Sequence, residues 1–156
     1  MTERRIIIAL DVSSAAELRE LVKQIKDTGC RVKIGKELFT SIGALAIEIC
    51  HDAGLDVFLD IKFHDIPNTC AKAVRAGARW GVWMTTLHCS GGAEMMLAVR
   101  EMLEGETHRP LLIGVTVLTS MSLAELRQLG IERDLESHVD YLAGLAHGAG
   151  LDGVVC

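Results

Sequence analysis

The fold is decided by residues 56–63, which read DVFLDIKF, and by the HDIP that follows at residues 64–67. The first stretch is rich in β-branched and aromatic residues and has the length of a strand, so it predicts a β-strand. Pro67 fits the first turn of a helix, where its missing N–H would have no partner in any case. Together the two stretches predict a strand, a short turn and a helix.

Similar runs lie on both sides of this stretch at a regular spacing. Predicted strands cover residues 5–10, 31–34, 56–63, 81–87, 110–118 and 152–156. The first four begin about 25 residues apart, which is the length of a strand and its crossover helix. The continuous apolar run at residues 5–10 predicts a strand that is buried on both faces.

Helix signals stand between these strands. Ser14 and Ser122 each precede a glutamate by three residues, which is the capping-box pattern of a helix start. Gly29 can end the first helix. The remaining helices are predicted at residues 41–53, from Pro67, from near Gly92, and at residues 137–147. Strands that alternate with helices predict a parallel sheet with helical crossovers.

Two α/β architectures are compatible with this pattern. A (β/α)8 barrel typically needs ~200 residues or more, and six units at this period would reach that size with two more. We therefore expect one domain over residues 1–156 that forms about the first six βα units of a barrel. The alternative is a complete, open, doubly wound sheet of six strands.

Composition excludes several classes of function. Sixteen Lys and Arg face 21 Asp and Glu, and aromatic residues make up 4%, so neither phosphate attraction nor base stacking favours nucleic-acid binding. Apolar runs stay far below the ~18 residues of a membrane span, and the run near the start is too short for a signal peptide. The five cysteines are odd in number and have no C-x-x-C spacing, which indicates reduced thiols in a cytoplasmic protein.

The third strand carries unusual charges for a buried strand. Side chains alternate along a strand, so Asp60 and Lys62 are predicted to point to the same side. Charges at other strand ends match them, because Asp11 ends the first strand, Lys33 lies on the second, and Asp65 follows the third. Carboxyl ends of parallel strands are where α/β active sites form. The structural alternative is an internal ion pair.

These residues belong to a recognisable pattern. Residues 60–69, DIKFHDIPNT, closely resemble the signature of the orotidine 5'-phosphate decarboxylase family. Supporting matches are ALD at 9–11, VKIG at 32–35, VTVLTSM at 115–121 and LDGVVC at 151–156. The D-x-K-x-x-D element is shared with sugar-phosphate decarboxylases and hexulose-phosphate synthases. The IPNT and LTSM stretches favour the orotidylate family.

The resemblance implies decarboxylation of orotidine 5'-monophosphate to UMP, the last step of de novo pyrimidine synthesis, with no metal or organic cofactor. It implies that Lys62 protonates C6 of the pyrimidine after carbon dioxide leaves, and that Asp60 lies against the substrate carboxylate. Lys33 would bridge the carboxylates and the ribose, and Asp11 would hold a ribose hydroxyl. The alternatives are a magnesium-dependent sugar-phosphate decarboxylase or synthase of related sequence, and a catalytically incomplete fragment.

The resemblance also implies a homodimer whose site is completed across the interface. Asp65, Ile66 and Thr69 would act on the substrate of the neighbouring subunit, and Ser122 would contact the pyrimidine amide. His88, before a pair of glycines at the end of strand four, is a further candidate for the site lining, although a plain turn before a helix explains it as well. The family's phosphate-binding residues are expected on strands seven and eight, which this sequence does not include.

Overall fold

The computed structural model describes residues 5–156. Within them, six parallel strands form one sheet. The strands are β1 (Ile7–Ala9), β2 (Arg31–Gly35), β3 (Val57–Phe63), β4 (Met84–His88), β5 (Leu111–Val115) and β6 (Gly153–Val155). The helices are α1 (Ala15–Ile25), α2 (Lys36–Ile42), α3 (Leu45–Asp52), α4 (Pro67–Arg79), α5 (Ala93–Glu104), α6 (Leu123–Gln128) and α7 (Leu135–Gly148). A single 3-10 turn, Cys89–Gly91, lies between β4 and α5.

The order of the strands in the sheet follows their order along the chain, from β1 to β6. Ile8 pairs with Val32, and Ile34 pairs with Leu59, so each crossover places the next strand beside the last. A doubly wound sheet instead reverses direction at a switch point and places strands on both sides of the first. The sequential order confirms the barrel-type α/β fold and excludes the open doubly wound alternative.

Strand β1 is shorter and more exposed than its sequence predicts. The apolar run at residues 5–10 indicates a strand buried on both faces, but Ile6 is 65% and Ile7 37% exposed. The reason is position, because β1 pairs with β2 alone within the described residues. Of residues 5–10, only Leu10, which lies just beyond the strand, is fully buried.

Three predicted helix starts are confirmed. Ser14 accepts a hydrogen bond from the Glu17 amide, and the Glu17 carboxylate accepts one from the Ser14 amide, which completes the capping box of α1. Ser122 and Glu125 form the same arrangement at α6. Pro67 occupies the first turn of α4.

The helix predicted at residues 41–53 is confirmed only over α3, because residues 41 and 42 belong to a separate, earlier helix. Helix α2 begins at Lys36, directly after β2, and ends before Gly43, whose φ is 61° and ψ is −142°. Backbone with positive φ favours glycine, so Gly43 separates α2 from α3. This early start of α2 brings its first residues to the carboxyl end of β2.

Two other strand bounds differ from prediction for local reasons. The strand predicted from residue 81 begins at Met84, because Gly81 has a φ of 78° and belongs to the end of α4. The strand predicted over residues 110–118 ends at Val115. The residues after it form the loop that leads to α6.

Two apolar cores support the sheet. One packs α1, α2 and α3 against the first three strands; it includes Leu18, Val22, Leu38, Ile47 and Leu59. The other packs α4, α5 and α7 against the next two strands; it includes Val74, Leu87, Met96, Leu112 and Leu142. Phe63, at the end of β3, packs against both cores. The end of β3 is therefore fixed from both sides.

Candidate active site

An ion-pair cluster lies at the carboxyl ends of β2 and β3. The Lys62 ammonium donates a hydrogen bond to Oδ1 of Asp60 over 2.8 Å, and the Lys33 ammonium lies 3.6 Å from Oδ2. The Asp60 side chain is 13% exposed and each lysine side chain 27%. Two cations therefore flank one carboxylate that water scarcely reaches.

The backbone of Lys62 departs from strand geometry. Its φ is 52°, and within residues 5–156 Lys62 is the one non-glycine residue with positive φ. The pairing of β3 with β4 shifts register between Leu59 and Phe63, which marks a bulge at this point. Left-handed backbone costs a residue with a side chain on the order of 1–2 kcal/mol. Such strain is typical of positions where a side chain is re-aimed for function.

A cleft of about 300 Å³ opens beside this cluster. It is lined by Leu10, Asp11, Lys33, Gly35, Lys36, Glu37, Leu38, Asp60 and Lys62. Asp11 therefore joins Lys33, Asp60 and Lys62 at one site, as their positions after successive parallel strands lead one to expect. Lys36 and Glu37 were missed by the sequence analysis because it began the helix after β2 too late. The spacing of Leu38 and Ile42 is the signal that places α2 earlier.

Electrostatics keep Asp60 ionised. Burial raises the pKa of the Asp60 carboxyl, but the hydrogen bond and charge of Lys62, the hydrogen bond of Thr86 and the charge of Lys33 lower it further. The net result is a pKa below the ordinary aspartate value. The cleft therefore presents a fixed alternation of positive, negative and positive charge, which can stabilise a charge that develops in a reaction.

Thr86 on β4 is a second residue that the sequence analysis missed. Its side chain is fully buried, its Oγ1 donates to Oδ1 of Asp60 over 3.0 Å, and the same atom accepts from the Lys62 amide over 3.0 Å. Threonine is an ordinary strand residue, so the sequence offers little to single it out. Its position two residues before His88, on the strand beside β3, is the only signal.

Asp65, Ile66 and Thr69 do not line the cleft of their own chain. They lie between β3 and the first turn of α4, and all three are exposed, with Ile66 at 67%. The Asp65 carboxylate accepts a hydrogen bond of 2.7 Å from the Ile66 amide. The segment is therefore exposed to solvent although it follows Lys62 closely in the chain.

His88 ends β4 beside a second, smaller cavity of about 110 Å³. The ring of His64 lies 5.3 Å away, centroid to centroid. Burial lowers the pKa of His88, and the charges of His64, Lys36 and Lys62 lower it further. These effects favour the neutral form of the His88 imidazole.

Ser122 lines neither cavity, although its chain neighbour Met121 lines the smaller one. Its hydroxyl bonds to Oε2 of Glu125 over 2.7 Å and accepts from the Glu125 amide, so it caps α6. The structure does not bring Ser122 together with the charged cluster of β2 and β3.

Comparison with known proteins places the chain in a family. A family model described as "Orotidine 5'-phosphate decarboxylase / HUMPS family" matches residues 4–156. The chain belongs to this family.

Within residues 5–156, no three His, Cys, Asp or Glu side chains cluster closely enough to hold a metal ion, and no helix there is long and apolar enough to cross a membrane.

Individual members of the orotidine 5'-phosphate decarboxylase / HUMPS family are close in sequence. The chain is similar to the orotidine 5'-phosphate decarboxylase of Saccharophagus degradans, with 57% identity over 152 residues, which cover 97% of this chain and 64% of the relative. It is 53% identical to that of Vibrio cholerae serotype O1, over all of this chain and 68% of the relative. The chain thus spans about two thirds of the length of these relatives.

Solved structures agree with the family assignment. The crystal structure of orotidine 5'-phosphate decarboxylase from Lactobacillus acidophilus matches with a TM-score of 0.90 and 34% identity, over 99% of this chain and 71% of that one. The six βα units are therefore arranged as in this (β/α)-barrel family.

Proposed function

We propose that this protein decarboxylates orotidine 5'-monophosphate to UMP, the last step of de novo pyrimidine biosynthesis, and that it does so in the cytoplasm. The single observation that carries the proposal is the Lys62 ammonium, held 2.8 Å from Asp60 with Lys33 on the other carboxylate oxygen. Relatives named for this activity support it. The five cysteines, all free thiols, suit a reducing compartment.

Lys62 is the acid of the proposed reaction. The bond between C6 and the carboxylate breaks, carbon dioxide leaves, and the electron pair that remains on C6 takes a proton from the Lys62 ammonium. No electron sink is needed, because a fixed positive charge in a confined cleft stabilises the developing carbanion more than it stabilises the substrate. The ion pair with Asp60 holds this ammonium in place before the reaction begins.

The remaining cleft residues orient the substrate. Asp60 faces the substrate carboxylate, and the repulsion between two carboxylates raises the free energy of the bound ground state. Lys33 bridges the carboxylates and the ribose, and Asp11, which lines the same cleft, binds a ribose hydroxyl. All three residues line the one cleft, which supports a shared substrate.

The site is completed by a second copy of the chain. Asp65, Ile66 and Thr69 serve the substrate of the neighbouring subunit in a homodimer. Their exposure, and the absence of all three from the lining of their own cleft within residues 5–156, support a role across an interface. His88, at the end of β4, contributes to the complete site from the neighbouring smaller cavity. Ser122 binds the pyrimidine amide, which requires its hydroxyl to turn from Glu125 to the substrate.

The proposal is tested by following the ultraviolet absorbance of orotidine 5'-monophosphate with the purified chain and its Lys62→Ala variant. We expect Lys62→Ala to lower the turnover by ~10²-fold or more, because the proton donor is lost. Lys72→Ala, which removes an exposed lysine from α4, is the matched control and keeps full activity. Equal activity in all three proteins would refute the assignment of Lys62.

Two additions to this assay separate the rival interpretations. Loss of turnover on chelation would favour the magnesium-dependent sugar-phosphate enzymes, and a folded dimer that neither reacts nor binds UMP would indicate a non-catalytic chain. If the site is shared, inactive Lys62→Ala and Asp65→Ala subunits regain activity when mixed. Failure of the mixture to regain activity would place Asp65 outside the partner's site.

A further inference from the structure

The strained backbone of Lys62 needs a partner that holds it. The amide of a residue with φ of 52° leaves the regular ladder of β3 and β4, and a buried amide without an acceptor is costly. The acceptor present is a side chain, Oγ1 of Thr86, 3.0 Å from the Lys62 nitrogen.

The same hydroxyl also reaches the acidic partner of Lys62. Oγ1 of Thr86 donates to Oδ1 of Asp60 over 3.0 Å, and that oxygen also accepts from the Lys62 ammonium. A hydroxyl has one proton to donate and lone pairs to accept with, so both bonds form together. One atom thus joins the backbone of Lys62 to the carboxylate that its ammonium contacts.

We infer that Thr86 is a positioning residue for the decarboxylation, because its single hydroxyl fixes both the left-handed backbone of Lys62 and the carboxylate of Asp60. The inference deepens the proposed function and rests on it. Thr86 touches no reacting atom; it acts through Lys62 and Asp60.

Burial makes the hydroxyl difficult to replace. Thr86 is fully buried, so water does not readily replace its hydroxyl. Without it the Lys62 amide loses its acceptor, which carries a desolvation penalty, and Asp60 loses one of its donors. Without the hydroxyl, the Lys62 backbone can relax toward ordinary strand geometry, which moves the Lys62 ammonium from its position beside Asp60. Displacements of about 1 Å in a catalytic group lower rates by up to ~10²-fold.

The pKa of Asp60 depends on the charged groups around it as well as on Thr86. The charged or titratable groups near it come from the segments after β1 and β2, from β2 and β3, and from the end of β4: Asp11, Lys33, Lys36, Glu37, Lys62 and His88. Thr86→Val replaces none of these groups. A change in Asp60 titration in that variant therefore reports the lost hydroxyl, either directly or through a displaced Lys62 ammonium.

The neighbouring residue provides a matched control. Thr85 is 1% exposed, and its Oγ1 donates to the backbone oxygen of Leu59 over 2.9 Å. Thr85→Val removes a buried hydroxyl from the same strand without touching Asp60 or Lys62. Both valine variants keep the side-chain shape and lose one buried hydroxyl, but only Thr86→Val removes contacts with Lys62 and Asp60.

The experiment compares the intact chain with Thr86→Val, Thr86→Ser and Thr85→Val. Three kinds of measurement are made: the Asp60 carboxyl titration by carbon NMR, the hydrogen exchange of the Lys62 amide, and the steady-state kinetics (kcat and KM) with orotidine 5'-monophosphate across pH. We expect Thr86→Val to raise the pKa of Asp60, to speed Lys62 exchange roughly tenfold, and to lower kcat by roughly 10-fold to 100-fold. Thr86→Ser keeps the hydroxyl and restores all three; Thr85→Val leaves them near the wild-type values.

The outcomes separate this inference from the proposed function. If Thr86→Val and Thr85→Val give the same Asp60 titration and Lys62 exchange, Thr86 is only a structural residue and the inference is overturned. If the wild-type chain does not turn over orotidine 5'-monophosphate, the proposed function fails, while the titration and the exchange rates still decide the role of Thr86.

Discussion

Asp60 lies in a position where two opposing effects can be compared. Burial disfavours its charge, yet the bonds and charges from Lys62, Thr86 and Lys33 leave its pKa below the ordinary value. A carboxylate at this position without a charged partner would destabilise the fold. The neighbours that offset that cost are also the groups that the proposed chemistry needs, so stability and function depend on the same contacts.

This balance predicts how stability depends on pH. Because the folded-state pKa of Asp60 is depressed, its ionised form stabilises the fold above the unfolded pKa near ~4, and this stabilisation disappears as pH falls through the folded pKa. We expect wild type to exceed Asp60→Asn in free energy of unfolding at pH 7, with a difference that shrinks in acid. Urea denaturation from pH 7 to pH 3 measures it, and a difference that is constant with pH would contradict this explanation.

Gly114 shows how closely two elements approach. A Cβ at this position of β5 would lie 2.6 Å from Sγ of Cys89 and 3.2 Å from Cβ of Ala146 on α7. The Ala146 Cβ is attached directly to the backbone and cannot rotate away. The contact between β5 and α7 therefore requires glycine for space rather than for backbone conformation.

The close approach predicts opposite effects for two glycine substitutions. Gly114→Ala should lower the free energy of unfolding by about 1–3 kcal/mol through overpacking. Gly144→Ala, at an exposed position inside α7 with open space around it, should raise it by about 0.5–1 kcal/mol through helix propensity. Urea denaturation of both variants tests the pair, and equal effects would show that β5 and α7 can separate at no cost.

For the helices and strands, the sequence predicted where elements form better than it predicted where their backbone becomes irregular. The strand at residues 56–63 and the capping boxes of Ser14 and Ser122 follow from local chemistry, and all three formed as expected. The break at Gly43 and the left-handed Lys62 did not, because each depends on how strands and helices meet in space.

The same division holds for the candidate site. Strand ends identified Asp11, Lys33, Asp60 and Lys62 as neighbours, since parallel strands align their carboxyl ends. The sequence did not indicate Thr86, because its place in the site depends on two hydrogen bonds between strands, which composition and spacing do not reveal. Lys36 and Glu37 were not predicted, because the helix after β2 was expected to begin at residue 41 and begins at Lys36.

Across the whole molecule, β1 and β6 are the outer strands of the sheet within residues 5–156. Val154 and Val155 on β6 are 37% and 43% exposed, and Ile7 on β1 is 37% exposed. Unpaired backbone on an apolar outer strand is a template for pairing with another chain.

This exposure predicts self-association of the 156-residue chain. Sedimentation velocity should show species larger than a dimer that increase with concentration, and Val154→Lys should reduce them because a charge on an edge strand opposes pairing. Leu129→Lys, which adds the same charge at a 66% exposed position after α6, is the control and leaves them unchanged. Larger species that persist in Val154→Lys would show that association uses another surface.

The sequential strand order has a consequence for how the chain acquires its structure. Ile7 pairs with Arg31, Phe58 with Met84, and Ile113 with Gly153, so every strand finds its neighbour in the next unit along the chain. Loop-closure entropy stays modest at each step, and among residues 5–156 no strand pairing skips a unit. The charged cluster of β2 and β3, together with Thr86 on β4, can therefore form during synthesis on the ribosome, once residues 5–88 have emerged.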